Sequence, residues 1–320
     1  MSTNNSPVNR VLVTGGCGFI GSALVNKLLE RNGEVLVLDD MSLGRNHWEH
    51  AVRKPALLKL DILDLRGCDE AVRDFAPTTI IHLAAHHFIP YCEEHAYEAY
   101  ALNVQGTLHM LECARRHSVR RFFLASSGDV YPSNFVPHRE VDPVAPMYVY
   151  GHTKMLAEQL CLRYFESKLQ GSSVLIGRLF NAAGPRETNP HLLAEVTRQI
   201  AIDKKQSIEV GNLWPLRDYV DVESMAEAII DTTAAIDGLD IVNFGSGQAV
   251  EVQEALRILT SVLPFRVEIT SVAARQRPND RPYLCPDPTR LRRAIGRTAA
   301  PFSENTARSI FAEYPGLLQC

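Results

Sequence analysis

The chain has 320 residues, 46% of them apolar and 22% charged. These are ordinary globular proportions, which exclude an intrinsically disordered, collagenous or coiled-coil protein, and the length suits one large domain or two small ones. The net charge of −4, from 33 Lys+Arg against 37 Asp+Glu, supplies no basic excess for nucleic acid.

The first half alternates between β-branched apolar runs and helical spacing. Strands are predicted at Arg10–Thr14, Val35–Leu38, Leu57–Leu60, Thr79–Ala84 and Arg121–Ala125. Helices are predicted between them at Phe19–Arg31, Gly67–Phe75 and Glu93–His117. This alternation predicts a parallel sheet covered on both faces, whose strands read as continuous apolar runs because both sides are buried. A long helix from after Met147 to about Gln170 and a strand at Ser173–Leu179 follow. Beyond Phe180 the pattern changes. Asn181–Pro190 and Arg275–Pro288 are rich in Pro, Asn and Arg and read as loops lining a site. Helices near Leu192–Ala201, Glu223–Ile236 and Glu251–Val262 and strands near Ser207–Val210 and Ile241–Phe244 complete the reading.

The seven Cys form no CxxC pair, which argues against a zinc ribbon or disulfide framework and for reduced thiols. The N-terminal Met1–Pro7 lacks a basic region followed by an apolar stretch, so no signal peptide is expected. No run of about 18 apolar residues suggests a membrane span, and the cytoplasm is the expected location.

The densest signal is Gly15, Gly18 and Gly21, following a predicted strand and opening a predicted helix. Gly15 permits the tight turn, Gly18 lets backbone approach a pyrophosphate, and Gly21 lets the helix pack close to the sheet. The helix N-terminus then offers unpaired N–H groups to the anion. Asp39, 18 residues beyond Gly21 at the end of the second strand, can accept the hydroxyls of an adenosine ribose and repels a 2′-phosphate. NAD is therefore favoured over NADP.

Tyr150 and Lys154 stand at i and i+4, on one face of a predicted helix. A phenol titrates near pH 10; an adjacent ammonium and a charged nicotinamide should lower it and create a base for a sugar hydroxyl. Ser126 and Ser127 follow the Arg121–Ala125 strand, at the end of the sheet where ligands bind.

With these motifs the chain resembles an extended short-chain dehydrogenase/reductase, of the NAD-dependent nucleotide-sugar epimerase/dehydratase family. The resemblance runs in order through Gly15–Gly21, Asp39, Asp61-Ile62, His82–Ala85, Asn103–Thr107, Ser126–Tyr131, Tyr150–Lys154, Arg178–Asn181, Arg217–Asp221 and Arg277–Asp280. It implies a Rossmann-type, doubly wound parallel sheet with a smaller C-terminal α/β substrate-binding domain. Residues 1–178 and 219–246 would bind NAD, and 179–218 and 247–320 the nucleotide sugar.

By the same resemblance Ser127, Tyr150 and Lys154 would be catalytic. The cofactor would meet Gly15, Gly18, Phe19, Ile20, Gly21, Asp39, Asp61, Ile62, Leu83, Ala84, Ala85, Asn103, Tyr150 and Lys154. The substrate would meet Ser127, Asn181, Leu192, Arg217, Arg277 and Asp280, with the two arginines bracketing a diphosphate. A homodimer is implied, through the Glu93–His117 and Tyr150 helices.

The implied reaction begins with oxidation at C4 of a nucleotide-diphospho-sugar, giving a 4-keto sugar and NADH. A 4-epimerase then returns hydride to the other face, whereas a dehydratase removes the C5 proton and expels the C6 hydroxyl. Asp129 bears on the choice: it is a C5 base, a sugar-hydroxyl ligand or a solvated loop-end carboxylate. Related 4,6-dehydratases carry an acid and a base side by side here, but this chain has Gly128 in the acid's place. Gly211–Leu213 resembles GDP-mannose 4,6-dehydratases, a minor point for dehydration. The expected activity is 4-epimerisation, with dehydration through Asp129 as the alternative. His86 and His87 follow the fourth strand close to the expected sugar, and His87 is a candidate substrate contact. As a pair they resemble metal ligands, but no third ligand has helpful spacing, so no metal is expected.

Overall fold

The computed structural model describes residues 10–48, 51–167, 169, 171–276 and 280–318. The first run comprises β1 (Arg10–Thr14), α1 (Phe19–Glu30), β2 (Glu34–Asp39), β3 (Ala56–Lys59), α2 (Leu65–Phe75) and β4 (Thr79–His82). Then come α3 (Ile89–Glu94), α4 (Ala96–Tyr100), α5 (Gly106–Arg116), β5 (Arg121–Ser127), α6 (Val149–Ser167) and β6 (Ser173–Leu179). The rest comprises β7 (Ala182–Ala183), α7 (Leu192–Ala201), β8 (Ser207–Val210), β9 (Leu216–Asp218), β10 (Val220–Asp221), α8 (Val222–Ala235) and β11 (Leu239–Phe244), followed by β12 (Ala249–Glu251), α9 (Val252–Ser261), β13 (Glu268–Ser271), β14 (Tyr283–Leu284), α10 (Thr289–Ile295) and α11 (Glu304–Ala312).

Seven strands form one wholly parallel sheet in the order β11-β6-β5-β4-β1-β2-β3. The winding reverses between β1 and β4, the switch point at which such sheets open a crevice for ligands. One face is sealed by Val11, Val13, Leu24, Leu28, Met225 and Ile229, joining the sheet to α1 and α8. The other is sealed by Leu12, Ile80, Met110, Leu111, Phe122 and Ala157, joining it to α2, α5 and α6. Each fully buried aliphatic or aromatic side chain contributes roughly 1.5–3 kcal/mol, and double-sided burial explains the unbroken apolar runs.

A second core, with Val196, Ile200, Leu256, Leu259 and Phe311, joins α7, α9 and α11. Small sheets link it back: β7 pairs with β10, and β9 pairs with β12 and β14. The segments expected to be loops thus carry β7 and β14, strands of two residues too short for periodicity to register.

The single helix expected over Glu93–His117 is interrupted. It breaks at His95 (φ −119°, ψ 51°) and passes through a π-helical turn at Ala101–Gln105 before α5. The wide turn carries Asn103, and such turns recur at functional sites. Asn103 receives the His86 N–H at 2.8 Å and donates to the His86 carbonyl at 2.8 Å and to Thr153 Oγ1 at 2.9 Å. The interruption therefore places an amide that straight helical geometry would turn elsewhere.

The six described cysteines are unpaired and buried. Among the described residues no helix is long and apolar enough to cross a membrane.

Candidate active site

The glycine turn has no room for side chains. Gly15 adopts φ +69°, and a Cβ there would lie 2.7 Å from the Ala84 nitrogen; at Gly21 it would lie 2.1 Å from the Gly15 carbonyl. Gly18 caps α1 without a side chain to engage the first-turn N–H groups, so that positive helix end is open to an anion. Asp39 is buried and accepts from the Cys17 N–H and the Met41 N–H, both at 2.9 Å. It therefore braces the turn while each oxygen keeps lone-pair capacity for a ribose hydroxyl. The cradle fits a dinucleotide. Phe19 packs into the core and Ile20 against it, so what both offer a ligand is backbone.

The far wall of the crevice is held by a directed hydrogen-bond chain. Thr107 donates to the Asn103 carbonyl at 2.7 Å, so His82 Nε2 donates to Thr107 Oγ1 at 3.0 Å. His82 Nδ1 is then left to accept from Thr14 Oγ1 at 2.7 Å, while Thr14 receives the Ala84 N–H at 3.2 Å. Burial pushes the His82 pKa down to about 3, so the imidazole is neutral as this chain requires. Leu83 donates its N–H to the Thr14 carbonyl, and Ala84 and Ala85 continue along the crevice. Ile62 is buried beneath Gly106, where a Cβ would meet its side chain at 2.4 Å. Asp61 is exposed and accepts the Leu63 N–H. Asn103 is committed to His86 and Thr153, so it shapes the wall.

Ser127 ends β5, Tyr150 lies in the first turn of α6, and Lys154 follows one turn later. The Ser127 hydroxyl lies within hydrogen-bond reach of the Tyr150 phenol. Gly151 allows this approach, since a Cβ there would lie 2.3 Å from the Asp129 carbonyl. Lys154 is buried, donates to the Ala125 carbonyl at 2.8 Å, and lies 5.9 Å from the Tyr150 ring centroid. Burial lowers its pKa to about 8. Of the two charges expected to lower the phenol, the ammonium does not do so within the chain alone. Burial and then the Asp129 charge push Tyr150 above its ordinary value, and the Ser127 hydrogen bond is what opposes them. The ammonium is turned to the Ala125 carbonyl, so the chain's own groups do not supply the acidifying charge that i, i+4 spacing suggested.

Asp129 faces Arg281, with Nη2 and Oδ1 3.7 Å apart. Arg281 is buried and donates to the Gly128 carbonyl at 3.3 Å and the Tyr131 carbonyl at 3.0 Å. Sequence reasoning missed it, although it directly follows Asp280. At Gly128 a Cβ would press on the Phe180 ring at 3.1 Å, so an acidic side chain could not enter without moving that ring. Behind the site, Arg178 makes a paired hydrogen bond to Glu158 at 2.9 and 2.7 Å, both residues buried, and donates to Tyr131 at 2.8 Å. This locks β6 to α6.

Arg217 and Asp280, from distant segments, are brought together: Arg217 Nη2 donates to Asp280 Oδ1 at 3.0 Å, and Asn212 Nδ2 to Asp280 Oδ2 at 3.1 Å. Asn181 is exposed and its carbonyl accepts the Val220 N–H. Leu192 opens α7 and packs on the second core. Arg277 lies outside the described residues. His87 is partly buried and adjoins Asn189, Glu187 and His191. No local spacing could have signalled that grouping, because it spans about a hundred residues.

The sequence profile described as the NAD dependent epimerase/dehydratase family matches residues 11–245. A putative UDP-glucose 4-epimerase of Methanocaldococcus jannaschii is 33% identical over 264 residues, covering 81% of this chain and 84% of that protein. The crystal structure of UDP-glucose 4-epimerase from Brucella ovis in complex with NAD superposes with a TM-score of 0.86 at 26% identity, covering 96% of this chain and 98% of that one. An NAD-dependent NDP-hexosamine 5,6-dehydratase of tunicamycin biosynthesis has a TM-score of 0.83 at 26% identity, covering 95% of this chain and 97% of that one.

Proposed function

The chain belongs to the NAD-dependent epimerase/dehydratase family, and within it we propose that the protein is a nucleotide-diphospho-sugar 4-epimerase. The observation that carries this reading is the convergence of Ser127 and Tyr150, with Lys154 buried behind them, at the sheet end that also bears the glycine cradle. Bound NAD supplies the hydride acceptor and donor, and a ring charge that favours the phenolate.

Tyr150 accepts the C4 hydroxyl proton as a hydride leaves the same carbon, and Ser127 holds the oxygen in line. Lys154, anchored on the Ala125 carbonyl one helical turn from Tyr150, is assigned to hold the nicotinamide ribose. After the 4-keto sugar turns over, a hydride re-enters the opposite face and Tyr150 returns the proton. Arg217, Asp280, Asn181 and Leu192 are assigned to the UDP, dTDP or GDP portion, together with Arg277. Residues 1–178 and 219–246 are assigned to the cofactor and 179–218 and 247–320 to the nucleotide sugar. A cytoplasmic homodimer completes the proposal.

Two features favour epimerisation over 4,6-dehydration. Gly128 leaves no acid beside Asp129, and the Arg281 guanidinium faces the Asp129 carboxylate at 3.7 Å. One feature favours the second reading, dehydration: Asp129 is close enough to Tyr150 to shift its titration, as a C5 base beside the C4 site would be. The test is turnover of a panel of nucleotide sugars in D₂O, followed by NMR. Inversion at C4 with no deuterium at C5 supports the proposal. Deuterium at C5 or loss of the C6 oxygen overturns it in favour of dehydration.

A further inference from the structure

Beyond the proton-transfer site, the geometry points to a divalent transition-metal site formed by His87, Glu187 and His191. One ligand atom of each lies within 4.8 Å of the other two. His87 comes from the segment after β4, and Glu187 and His191 from the turn between β7 and α7. Ligand atoms around a tetrahedral zinc, at bonds of about 2.0–2.1 Å, stand roughly 3.3 Å apart, so a small inward movement of that turn completes the site.

The surroundings are those of a prepared ligand set. The Ala85 carbonyl is within hydrogen-bond reach of the His87 ring. A carbonyl that takes one ring N–H leaves the other nitrogen an acceptor, the form a metal binds. The Asn189 amide nitrogen lies 3.1 Å from His87 Nε2, and the Asn189 N–H donates to Glu187 Oε1 at 3.1 Å. Asn189 thus orients Glu187 through its backbone N–H, while its side-chain amide holds the His87 lone pair that a metal would take over. The His87 and His191 rings stack at 5.5 Å, and Phe88 packs edge-on to His191 at 5.6 Å. These contacts hold His191 toward His87 although it is exposed.

Two imidazoles and one carboxylate suit zinc-like ions better than magnesium or calcium, and three protein ligands leave a fourth position for water. His191 occupies the N-cap position of α7 without a side-chain cap bond; that positive helix end opposes a cation, and burial raises the Glu187 carboxyl to about 7, so a bound cation would displace its proton to gain the offsetting charge. The site requires no step of the proposed epimerisation.

The test uses the full-length protein, stripped with chelator and titrated with Co²⁺, then back-titrated with Zn²⁺. One tight equivalent with visible d–d absorption, displaced by Zn²⁺, and a thermal midpoint raised by Zn²⁺ are expected. His191→Ala and Glu187→Gln should each weaken Co²⁺ binding by about tenfold or more and abolish the Zn²⁺-dependent rise. Replacing the exposed His191 leaves the core packed, so its metal-free melting should match wild type. The proposal is overturned if the wild-type protein takes up no stoichiometric Co²⁺, or if either variant binds it as wild type does. Neither result bears on whether C4 inversion occurs.

Discussion

The Lys154 ammonium donates to the Ala125 carbonyl across 2.8 Å. This bond ties α6 to the strand that ends in Ser127 and fixes how far the charge sits from the Tyr150 ring. Burial lowers the Lys154 pKa to about 8. The charge is present below that pH and lost above it. The kcat/KM should therefore decline as pH rises through about 8, and Lys154→Arg, whose guanidinium stays protonated, should remove that decline wherever activity persists. A rate still climbing well above that pH in the wild-type enzyme would show that the ammonium is not required.

Tyr150→Phe removes the group assigned to both proton transfers. Turnover should drop about 10²–10⁴-fold, the usual worth of general acid–base catalysis. Calorimetric NAD affinity should change little. Near-normal turnover in this variant would mean that another group is the base.

Gly21→Ala places a methyl 2.1 Å from the Gly15 carbonyl. Overpacking of this kind costs about 1–3 kcal/mol. Here the atom that must yield is backbone in the phosphate cradle, so NAD affinity should fall by more than tenfold, beyond the loss of stability seen in urea melts. Wild-type affinity would disprove the cradle.

Glu158→Gln leaves the Arg178 guanidinium buried without its carboxylate. Breaking a buried pair from one side costs about 3–5 kcal/mol. The urea midpoint should fall accordingly, and Arg178→Met combined with Glu158→Gln should recover part of the loss. A loss below about 1 kcal/mol, the level of an exposed pair, would mean water reaches the site.

His82 is neutral with a pKa lowered to about 3 from the ordinary 6.5. Between those values the unfolded chain binds the proton that the folded chain refuses. Stability is therefore fully present above about pH 6.5 and declines as pH falls toward 3, by at most about 1.4 kcal/mol per pH unit from this residue. Urea melts of His82→Gln should show a slope shallower by about one proton across that window. Equal slopes would assign the acid sensitivity elsewhere.

Much of the architecture was legible in the chain. β1 and β6 lie where apolar runs put them, because a strand buried on both faces admits few polar residues; β8 lies where expected with alternating exposed and buried residues, and α7 where helical spacing put it. Gly15 and Gly21 were legible for a related reason: their neighbours leave no volume for a Cβ. The break at His95 and the π turn bearing Asn103 were not legible, since helical spacing looks much the same on either side of a local widening.

The sequence by itself determined the strand–helix alternation, the Gly15–Gly18–Gly21 spacing and the Tyr150–Lys154 spacing, because each is a pattern of residues close together along the chain. Only the tertiary structure decided that Lys154 faces the Ala125 carbonyl, that Arg281 faces Asp129, and that His87 meets Glu187 and His191. Those relations join segments separated by up to about 150 residues. Electrostatics and coordination act through distance in space, which chain separation does not encode.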